Sequence, residues 1–374
     1  MEHELDRHNE YLRAALQQDR RPLGLFLGAG TPMSVRPKGV PIIPDIAGLT
    51  TVVRAGVTGA SRDVVEDAFA QLDSTYNPVT LENLLDYLRR LAAIPGTADV
   101  RGFSNSAVLT ADAEICALVR DHLEVTLPGI DTAYHAIALW AQAAKRHAPM
   151  EVFTTNYDLL LEQALEAANV PYFDGFVGSH RPSFDIHAVE EDELPNRWVR
   201  LWKLHGSINW ATSSGGDVLR CPTTDKSDRV LIYPSHLKYE QSRRLPYLAL
   251  LDRLRGFLRR PSSVIVSCGF SYRDEHINEV IGQALRSNPT ASVQALLFGQ
   301  LEQYSEALAL ARRTPNLSLL AEDAAVVGTQ TGDWATTSTV STFPYGNFSA
   351  LGDLLRELVG GASLSSLHTS APTP

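Results

Sequence analysis

The chain has 374 residues, 44% of them hydrophobic and 20% charged, and a formal net charge of −10. This composition is ordinary for a folded globular protein, and the length allows two to three domains or one α/β domain with a large insertion. The negative charge argues against direct binding to nucleic acid or to anionic membranes. The three cysteines are far apart and odd in number. Such cysteines predict no disulfide framework. The sequence also shows no signal peptide and no apolar run of membrane-spanning length, and together these features predict a cytoplasmic protein.

The first 150 residues contain one strand pattern among several helix patterns. Residues 1–20 are charged and amphipathic and predict a helix, and the apolar run 23–27 predicts a strand. From about residue 45 to residue 148 the strand signal mostly disappears, and helices are predicted over residues 61–73, 80–94, 110–127 and 131–147. We therefore expect an all-helical subdomain inserted after the first strand.

Strand and helix patterns alternate in the rest of the chain. Strands are predicted over residues 151–154, 199–204, 230–233, 263–267, 293–298 and, as the last one, 317–320. Helices are predicted over residues 157–168, 239–260, 274–287 and 302–312. Such alternation indicates an α/β fold, a Rossmann-like doubly wound parallel sheet. This domain would span residues 21–330, leaving residues 331–374 as a C-terminal segment with a short helix (348–359) and a disordered tail.

One of these helices is unusually basic. Six arginines and a lysine alternate with leucines in the segment Lys238–Arg260. This pattern favours an amphipathic helix that covers the sheet and keeps a solvated basic face, with a partner contact as the alternative.

The first strand ends in a glycine-rich turn. Gly28, Ala29 and Gly30 follow the apolar run directly, and Thr31 comes next. Glycines at a strand exit let the backbone approach a pyrophosphate, which suits a dinucleotide-binding turn. The third glycine of the full dehydrogenase fingerprint is absent, so a plain strand-exit turn is the alternative interpretation.

Polar residues also follow the next two strands. Asn156 lies just beyond one of them, with Asp158 opening the helix that follows, where the helix dipole favours a carboxylate. His205 lies at the end of the other strand, beside a glycine and a serine, in a position where it could titrate near neutrality. Taken singly, a turn residue, a helix cap and a structural histidine are the alternative interpretations.

A fourth segment, Gly269-Phe270-Ser271, follows the buried strand 263–267. An open parallel sheet places ligand groups in the crevice beyond the carboxyl ends of its strands. Together the four segments indicate a dinucleotide site that carries its own Asn and His. That combination favours an enzyme that cleaves the dinucleotide over one that uses its hydride.

In kind and order, these segments resemble the motifs of the sirtuin superfamily of NAD-consuming proteins. His135 also resembles the buried helix histidine of that family. The resemblance covers roughly residues 20–325 and implies a Rossmann-like NAD-binding domain. The matching stretches are Gly28-Ala29-Gly30-Thr31, Thr155-Asn156-Tyr157-Asp158, His205-Gly206-Ser207 and Gly269-Phe270-Ser271.

The departures from the family pattern are informative. Protein-deacetylating sirtuins carry a four-cysteine zinc ribbon soon after their histidine motif, but only Cys221 lies there. That zinc site cannot form, and no metal is expected. Thr155 stands where the family has Gln, and the stretch from Gly269 to Asn278 is similar to the bacterial antiphage branch of the superfamily. Members of that branch hydrolyse NAD+.

The resemblance implies an NAD+ glycohydrolase, whose reaction passes through an oxocarbenium-like transition state and needs no metal or redox cofactor. Asn156 would hold the nicotinamide-side ribose and the attacking water, and His205 would act as general base. Asp158 would position Asn156 or the ribose. The residues implied to bind the substrate are Gly28, Ala29, Gly30 and Thr31 at the diphosphate and Gly269 and Ser271 at the adenosine side. Asp274 and Asn278 are further candidates, with a helix cap and a solvent-facing residue as alternatives.

The resemblance also implies antiphage defence by NAD+ depletion, a homo-oligomer and a partner ATPase of the HerA type. Two other functions share the same site. One is an NAD-dependent protein deacylase or ADP-ribosyltransferase, and the missing zinc cysteines count against deacylation. The other is a non-catalytic sensor of NAD or ADP-ribose, which would need neither Asn156 nor His205.

Overall fold

The computed structural model describes residues 2–76, 78–94, 99–129, 131–143, 146–213, 215–222, 229–232, 246–335 and 342–360. The predicted tail from residue 361 onward and the first part of the predicted basic helix lie outside these ranges. Within the described residues, no helix combines the length and the apolar character needed to span a membrane.

Strands and helices alternate along most of the chain, with one long helical interval. The strands are β1 (Glu2–Glu4), β2 (Leu23–Leu27), β3 (Glu151–Thr154), β4 (Tyr172–Phe173), β5 (Phe176–Val177), β6 (Ser183–Phe184), β7 (Val199–Lys203), β8 (Gly206–Thr212), β9 (Val218–Arg220), β10 (Arg229–Ile232), β11 (Val264–Cys268), β12 (Ser292–Leu296), β13 (Leu317–Leu320), β14 (Ala324–Val327) and β15 (Gln330–Ala335). The helices are α1 (Leu5–Gln17), α2 (Gly30–Met33), α3 (Ile46–Gly56), α4 (Gly59–Leu72), α5 (Leu81–Ala92), α6 (Asn105–Leu123), α7 (Ala133–Ala143), α8 (Leu160–Ala167), α9 (Ile186–Glu191), α10 (Tyr247–Arg259), α11 (Glu275–Ser287), α12 (Ser305–Ala311) and α13 (Phe348–Leu358).

The main sheet, as far as the structure describes it, has the strand order β1-β15-β14-β13-β12-β11-β2-β3-β7-β4. All neighbours from β13 to β4 pair in parallel. From β2 the chain builds outward through β3 and β7 on one side, and later through β11, β12 and β13 on the other. The strand order therefore reverses beside β2, and the crevice beyond the carboxyl ends of these strands is the usual ligand site of an open α/β sheet.

Helices cover both faces of this sheet. Side chains of a strand point alternately to its two faces, and those of β2 follow this rule. Leu25 and Leu27 belong to an apolar cluster with α3 to α7 and α13, whereas Phe26 belongs to a second cluster with α10 to α12. This arrangement confirms the predicted Rossmann-like, doubly wound fold.

The interval between β2 and β3 is helical, from α3 to α7. Three of these helices, α4, α5 and α7, lie where helices are predicted, whereas α6 begins earlier than predicted and α3 is not predicted. The start of α5 is fixed by a capping box, in which Thr80 and Asn83 exchange side chain-to-amide hydrogen bonds.

Two parts of the strand prediction are wrong. The strand at 317–320 is not the last one, because β14 and β15 follow it as an antiparallel hairpin and β1 joins the outer edge. Its two-residue turn, Gly328 and Thr329, has positive φ at both positions, as a tight hairpin turn requires. In addition, β5, β6, β8 and β9 are not among the predicted strands, and together with β10 they form a second, antiparallel sheet with the order β10-β8-β9-β6-β5.

The prediction of a solvated basic face on α10 is wrong for its central arginine. The Arg253 side chain is 13% exposed and pairs with Asp192 at 2.6 Å and with Glu151 at 3.3 Å. Arg260 pairs with Glu151 at 2.7 Å. These carboxylates come from β3 and from the segment after α9, so local sequence around α10 gives no sign of them.

Candidate active site

The turns that follow β2 and β11 pack backbone against backbone. The Gly28 amide donates to the Cys268 carbonyl at 3.0 Å, and the Gly30 amide donates to the Gly269 carbonyl at 2.8 Å. A Cβ at Gly28 would lie 2.4 Å from the Gly269 oxygen, and Gly269 itself has a φ of +69°, a conformation that favours glycine. Close packing at Gly28 and the backbone conformation of Gly269 therefore require glycine at these two positions.

Thr31 is fully buried beneath the first turn. Its hydroxyl donates to the Gly28 carbonyl at 2.9 Å and lies 3.0 Å from the Tyr134 hydroxyl of α7. Its amide also donates to the Gly28 carbonyl. These contacts make Thr31 a support of the turn, whereas Ala29 is exposed and Gly30 half-buried at its tip.

Asn156 lies just beyond β3 and is anchored to the same turn. Its Nδ2 donates to the Gly28 carbonyl and to Thr31 Oγ1, both at 3.1 Å. These two acceptors fix the orientation of the amide. Its Oδ1 is buried and has no hydrogen-bond partner among the described residues. A fixed, buried acceptor of this kind suits a hydroxyl group or a water molecule brought by a ligand.

His205 follows β7 and is held by Asp274. Its Nε2 lies 3.0 Å from Asp274 Oδ2, and both side chains are largely buried. The other carboxylate oxygen of Asp274 accepts hydrogen bonds from the amides of His276 and Ile277, at 2.9 and 3.2 Å. Asp274 therefore caps α11, as its alternative interpretation holds, and also orients the imidazole.

The ionisation of this pair is set by two opposing effects. Burial disfavours the charged imidazole, but the hydrogen bond and the charge of Asp274 outweigh it and raise the pKa of His205. Burial also disfavours the carboxylate, yet His205 and the helix amides lower the pKa of Asp274. Glu82, at the start of α5, adds a negative charge that further raises the pKa of His205. Asp274 therefore stabilises an imidazolium at His205, against the effect of burial.

Asp158 and Lys203 tie the exits of β3 and β7 together. Asp158 is buried, and its Oδ1 accepts from the Leu160 amide at 3.0 Å at the start of α8. Burial raises the pKa of this carboxyl, and the Lys203 ammonium opposes the rise. The buried Lys203 donates to the Asp158 carbonyl and, at 2.8 Å, to Glu162. These contacts fix the chain on either side of the site.

The loop after β11 is shaped by Asn278. Its Nδ2 donates to the Tyr272 carbonyl at 2.5 Å, which holds Tyr272 at a φ of +59°. The alternative interpretation that Asn278 faces solvent is wrong, because the residue is 8% exposed. Ser271, by contrast, is exposed.

The structure thus brings Gly28, Thr31 and Asn156 into direct contact, and it joins His205 to Asp274. The ring of Tyr157, next to Asn156, lies 6.4 Å from the His205 ring, centroid to centroid. Sequence reasoning missed Tyr134 and the pairing of Asp274 with His205. Among the residues that the structure describes, no group of three or more His, Cys, Asp or Glu is placed to hold a metal ion.

Part of the chain matches a known protein family. Residues 150–320 match the SIR2-like domain family. This match supports a relation of the chain to the sirtuin-like superfamily. The SIR2-like domain contains Asn156, His205 and Asp274, whereas the glycine turn after β2 precedes it. Comparison with curated proteins gave no match.

Solved structures give only distant similarities. A Sir2 homologue in complex with NAD is 14% identical, with 96% of each chain covered and a TM-score of 0.41. A variant of a Sir2 homologue in complex with ADP-ribose is 13% identical, with 97% of this chain and 99% of that chain covered and a TM-score of 0.39. Cytosolic 5'-nucleotidase IIIB bound to cytidine is 11% identical, with 97% and 91% covered and a TM-score of 0.32. The strand order, and not these alignments, defines the fold.

Proposed function

We propose that the chain is an NAD+ glycohydrolase that cleaves NAD+ to nicotinamide and ADP-ribose. The observation that carries the proposal is the fixed amide of Asn156, whose buried Oδ1 has no hydrogen-bond partner among the described residues. Asp274 orients His205 at the exit of the neighbouring strand, β7. The SIR2-like domain match and the family resemblance of the four strand-exit segments support it.

The substrate would lie across the strand-order reversal beside β2. The diphosphate sits at the turn formed by Gly28, Ala29 and Gly30, since glycines there let the backbone approach it closely. The nicotinamide ribose lies over β3 and β7, at Asn156 and His205. The adenosine half lies over β11, near Gly269 and Ser271.

The reaction uses groups that these side chains supply. Departure of nicotinamide leaves positive charge on the ribose, as in glycoside hydrolysis. Asn156 Oδ1 accepts a hydrogen bond from a ribose hydroxyl or from the attacking water. Water adds to the ribose carbon that nicotinamide leaves, and neutral His205 takes its proton as general base. Asp274 then stabilises the imidazolium, which releases the proton to solvent.

The test is nicotinamide release from NAD+, followed by chromatography, for the wild type and for Asn156→Ala and His205→Ala. Removing a general base typically costs about 10²–10⁴ in rate, so we expect the variants to lose release by at least about a hundredfold. Two exposed residues away from the crevice provide controls of the same residue types, Asn196→Ala and His187→Ala. These variants should cleave NAD+ as the wild type does.

Three outcomes would contradict the proposal. Cleavage by Asn156→Ala and His205→Ala at the wild-type rate would remove both residues from the reaction. ADP-ribose found linked to protein, or deacylation coupled to NAD+ cleavage, would favour the transferase. NAD+ binding without release, with and without the product of a neighbouring gene, would favour a sensor.

We further propose that NAD+ cleavage serves antiphage defence, with the chain acting in the cytoplasm as a homo-oligomer beside an ATPase of the HerA type. The support is the resemblance of the stretch Gly269–Asn278 to the antiphage branch. Bacteria that express the chain with its neighbouring gene should lose NAD+ on phage infection, and those expressing His205→Ala should not. NAD+ levels that stay unchanged during infection would contradict this role.

A further inference from the structure

A cavity of about 390 Å³ lies at the amino-terminal ends of β3, β4 and β7. Met150, Pro171 and Trp198 line it, and each of them directly precedes one of these strands. The candidate active site lies beyond the carboxyl ends of β3 and β7. The five residues of β7, about 16 Å of extended chain, therefore separate the two sites.

Hydrogen bonds between separate segments fix the walls of this cavity. Gln142 of α7 lies in the wall, and its Nε2 donates to the Ala168 carbonyl at 3.2 Å. Asn196 also lies in the wall, and its Nδ2 donates to the His147 carbonyl at 2.7 Å. Because these contacts exist without a ligand, a molecule that enters the cavity has little of the wall to order.

Two arginines give the lining a positive charge. Arg197 is exposed and Arg146 is half-buried, and none of the described residues that line the cavity is acidic. The terminal nitrogens of Arg146 donate to the neutral carbonyls of Gln18 at 2.6 Å and Leu16 at 3.3 Å, which leaves its charge uncompensated. Burial lowers the pKa of Arg146 to about 10, although the charge of Asp19 opposes this effect. An anion in the cavity would stabilise the charged guanidinium.

Two N–H groups of the lining residues have no acceptor. Trp198 Nε1 and Arg146 Nε are buried, and neither has a hydrogen-bond partner among the residues that the structure describes. Both groups donate hydrogen bonds and cannot accept them. Buried donors are normally paired, so this lining favours a ligand that is rich in acceptors.

We propose that this cavity binds a phosphate-bearing small molecule with a flat ring, of the size of a mononucleotide. A phosphate group supplies the negative charge and the acceptors, and arginine side chains such as Arg146 and Arg197 pair with phosphate in a fixed, bidentate geometry. The Trp198 indole and the apolar side chains of Met150 and Val170 suit the ring. The volume also lies within the range of small-molecule sites, about 300–1,000 Å³.

The test uses adenosine monophosphate (AMP) as the probe on the full chain, with adenosine and inorganic phosphate as its two parts. Calorimetry measures the Kd of each for the wild type, Arg197→Gln and Arg62→Gln. Arg197→Gln should weaken AMP binding about tenfold, the scale of one charge-assisted hydrogen bond, and leave adenosine binding unchanged. Arg62→Gln, at an exposed arginine of α4, is the matched control and should change neither Kd. AMP should also change the tryptophan emission of the wild type, and Trp198→Phe, which keeps a ring, should abolish that change.

Several results would overturn the inference. The wild type could show no change in emission with AMP, or Trp198→Phe could show the same change. Equal Kd values of AMP for the wild type and Arg197→Gln would place AMP elsewhere, such as in the crevice. Adenosine that binds as tightly as AMP would contradict the role of the arginines, and inorganic phosphate that binds as tightly would contradict the role of the ring. Every readout is binding, so loss of NAD+ cleavage would leave these results unaffected.

Discussion

At the scale of single residues, the candidate site depends on which polar atoms are already engaged. Thr31 has one hydroxyl proton, and it goes to the Gly28 carbonyl. The same oxygen must therefore accept from both Asn156 Nδ2 and the Tyr134 hydroxyl. Tyr134, a residue of the helical interval, thus acts on Asn156 through Thr31 and is a positioning residue.

Replacing Tyr134 with Phe should lower NAD+ cleavage about two- to tenfold, since one hydrogen bond of roughly 0.5–1.5 kcal/mol is lost from the network that orients Asn156. Tyr87→Phe is the matched control, because the Tyr87 hydroxyl donates to Gln71 at 2.5 Å within the helical interval. Both variants should unfold at slightly lower temperature, but only Tyr134→Phe should lose rate. Equal rates in the two variants would assign Tyr134 to stability alone.

Asp274→Asn should change the pH dependence of cleavage. Asn keeps the helix cap but removes the charge that, against the effect of burial, raises the pKa of His205. The pKa of His205 should fall, so neutral imidazole persists to lower pH and the rising limb of kcat/KM against pH moves in that direction. The plateau rate should fall as well, because the imidazolium formed in the reaction loses its partner. An unmoved limb would show that His205 is not the titrating base.

At the scale of elements, the contact between the β2 and β11 turns is tested by glycine substitution. Gly28→Ala places a methyl group against the fixed backbone of Gly269 and Phe270, and it should destabilise the fold by about 1–3 kcal/mol or more. Gly256 is exposed within α10, and a Cβ there meets nothing within 4 Å. Gly256→Ala should therefore stabilise the protein by roughly 0.5–1 kcal/mol. Thermal unfolding measures both changes, and shifts of the same sign would contradict this account.

The sequence predicts the inner strands of the main sheet better than its outer strands and better than the second sheet. β2 and β11 are mainly apolar, β3 and β7 mix apolar and charged residues, and all four strands end in polar or glycine-rich turns. This local pattern is enough to predict a shared edge. The short strands β5, β6, β9 and β14 have two to four residues, too few to show a period. The pairing of His205 with Asp274 could not be predicted from the sequence either, because it joins two strand exits that are distant in the chain.

At the scale of the whole molecule, the C-terminal helix supports the site from outside the SIR2-like domain. α13 packs against α7 so closely that a Cβ at Gly352 would lie 2.7 Å from the Ala133 Cα. Arg356 donates to the Thr132 carbonyl at 2.9 Å, and the Phe348 ring lies 5.0 Å from the Tyr134 ring. Because Tyr134 contacts Thr31, whose hydroxyl oxygen accepts from Asn156, α13 is connected to the site through α7.

A chain that ends at Ala335 should therefore lose both stability and NAD+ cleavage. α13 buries Phe348, Leu351, Leu354 and Leu355 in the core, and at about 1.5–3 kcal/mol for each side chain the loss is about 6–12 kcal/mol. That is comparable to the whole stability of a typical domain, about 5–15 kcal/mol. A chain that ends at Gly360 is the control, because every contact named here lies before that residue. Circular dichroism during heating and nicotinamide release measure both chains, and equal behaviour of the two would show that α13 does not support the site.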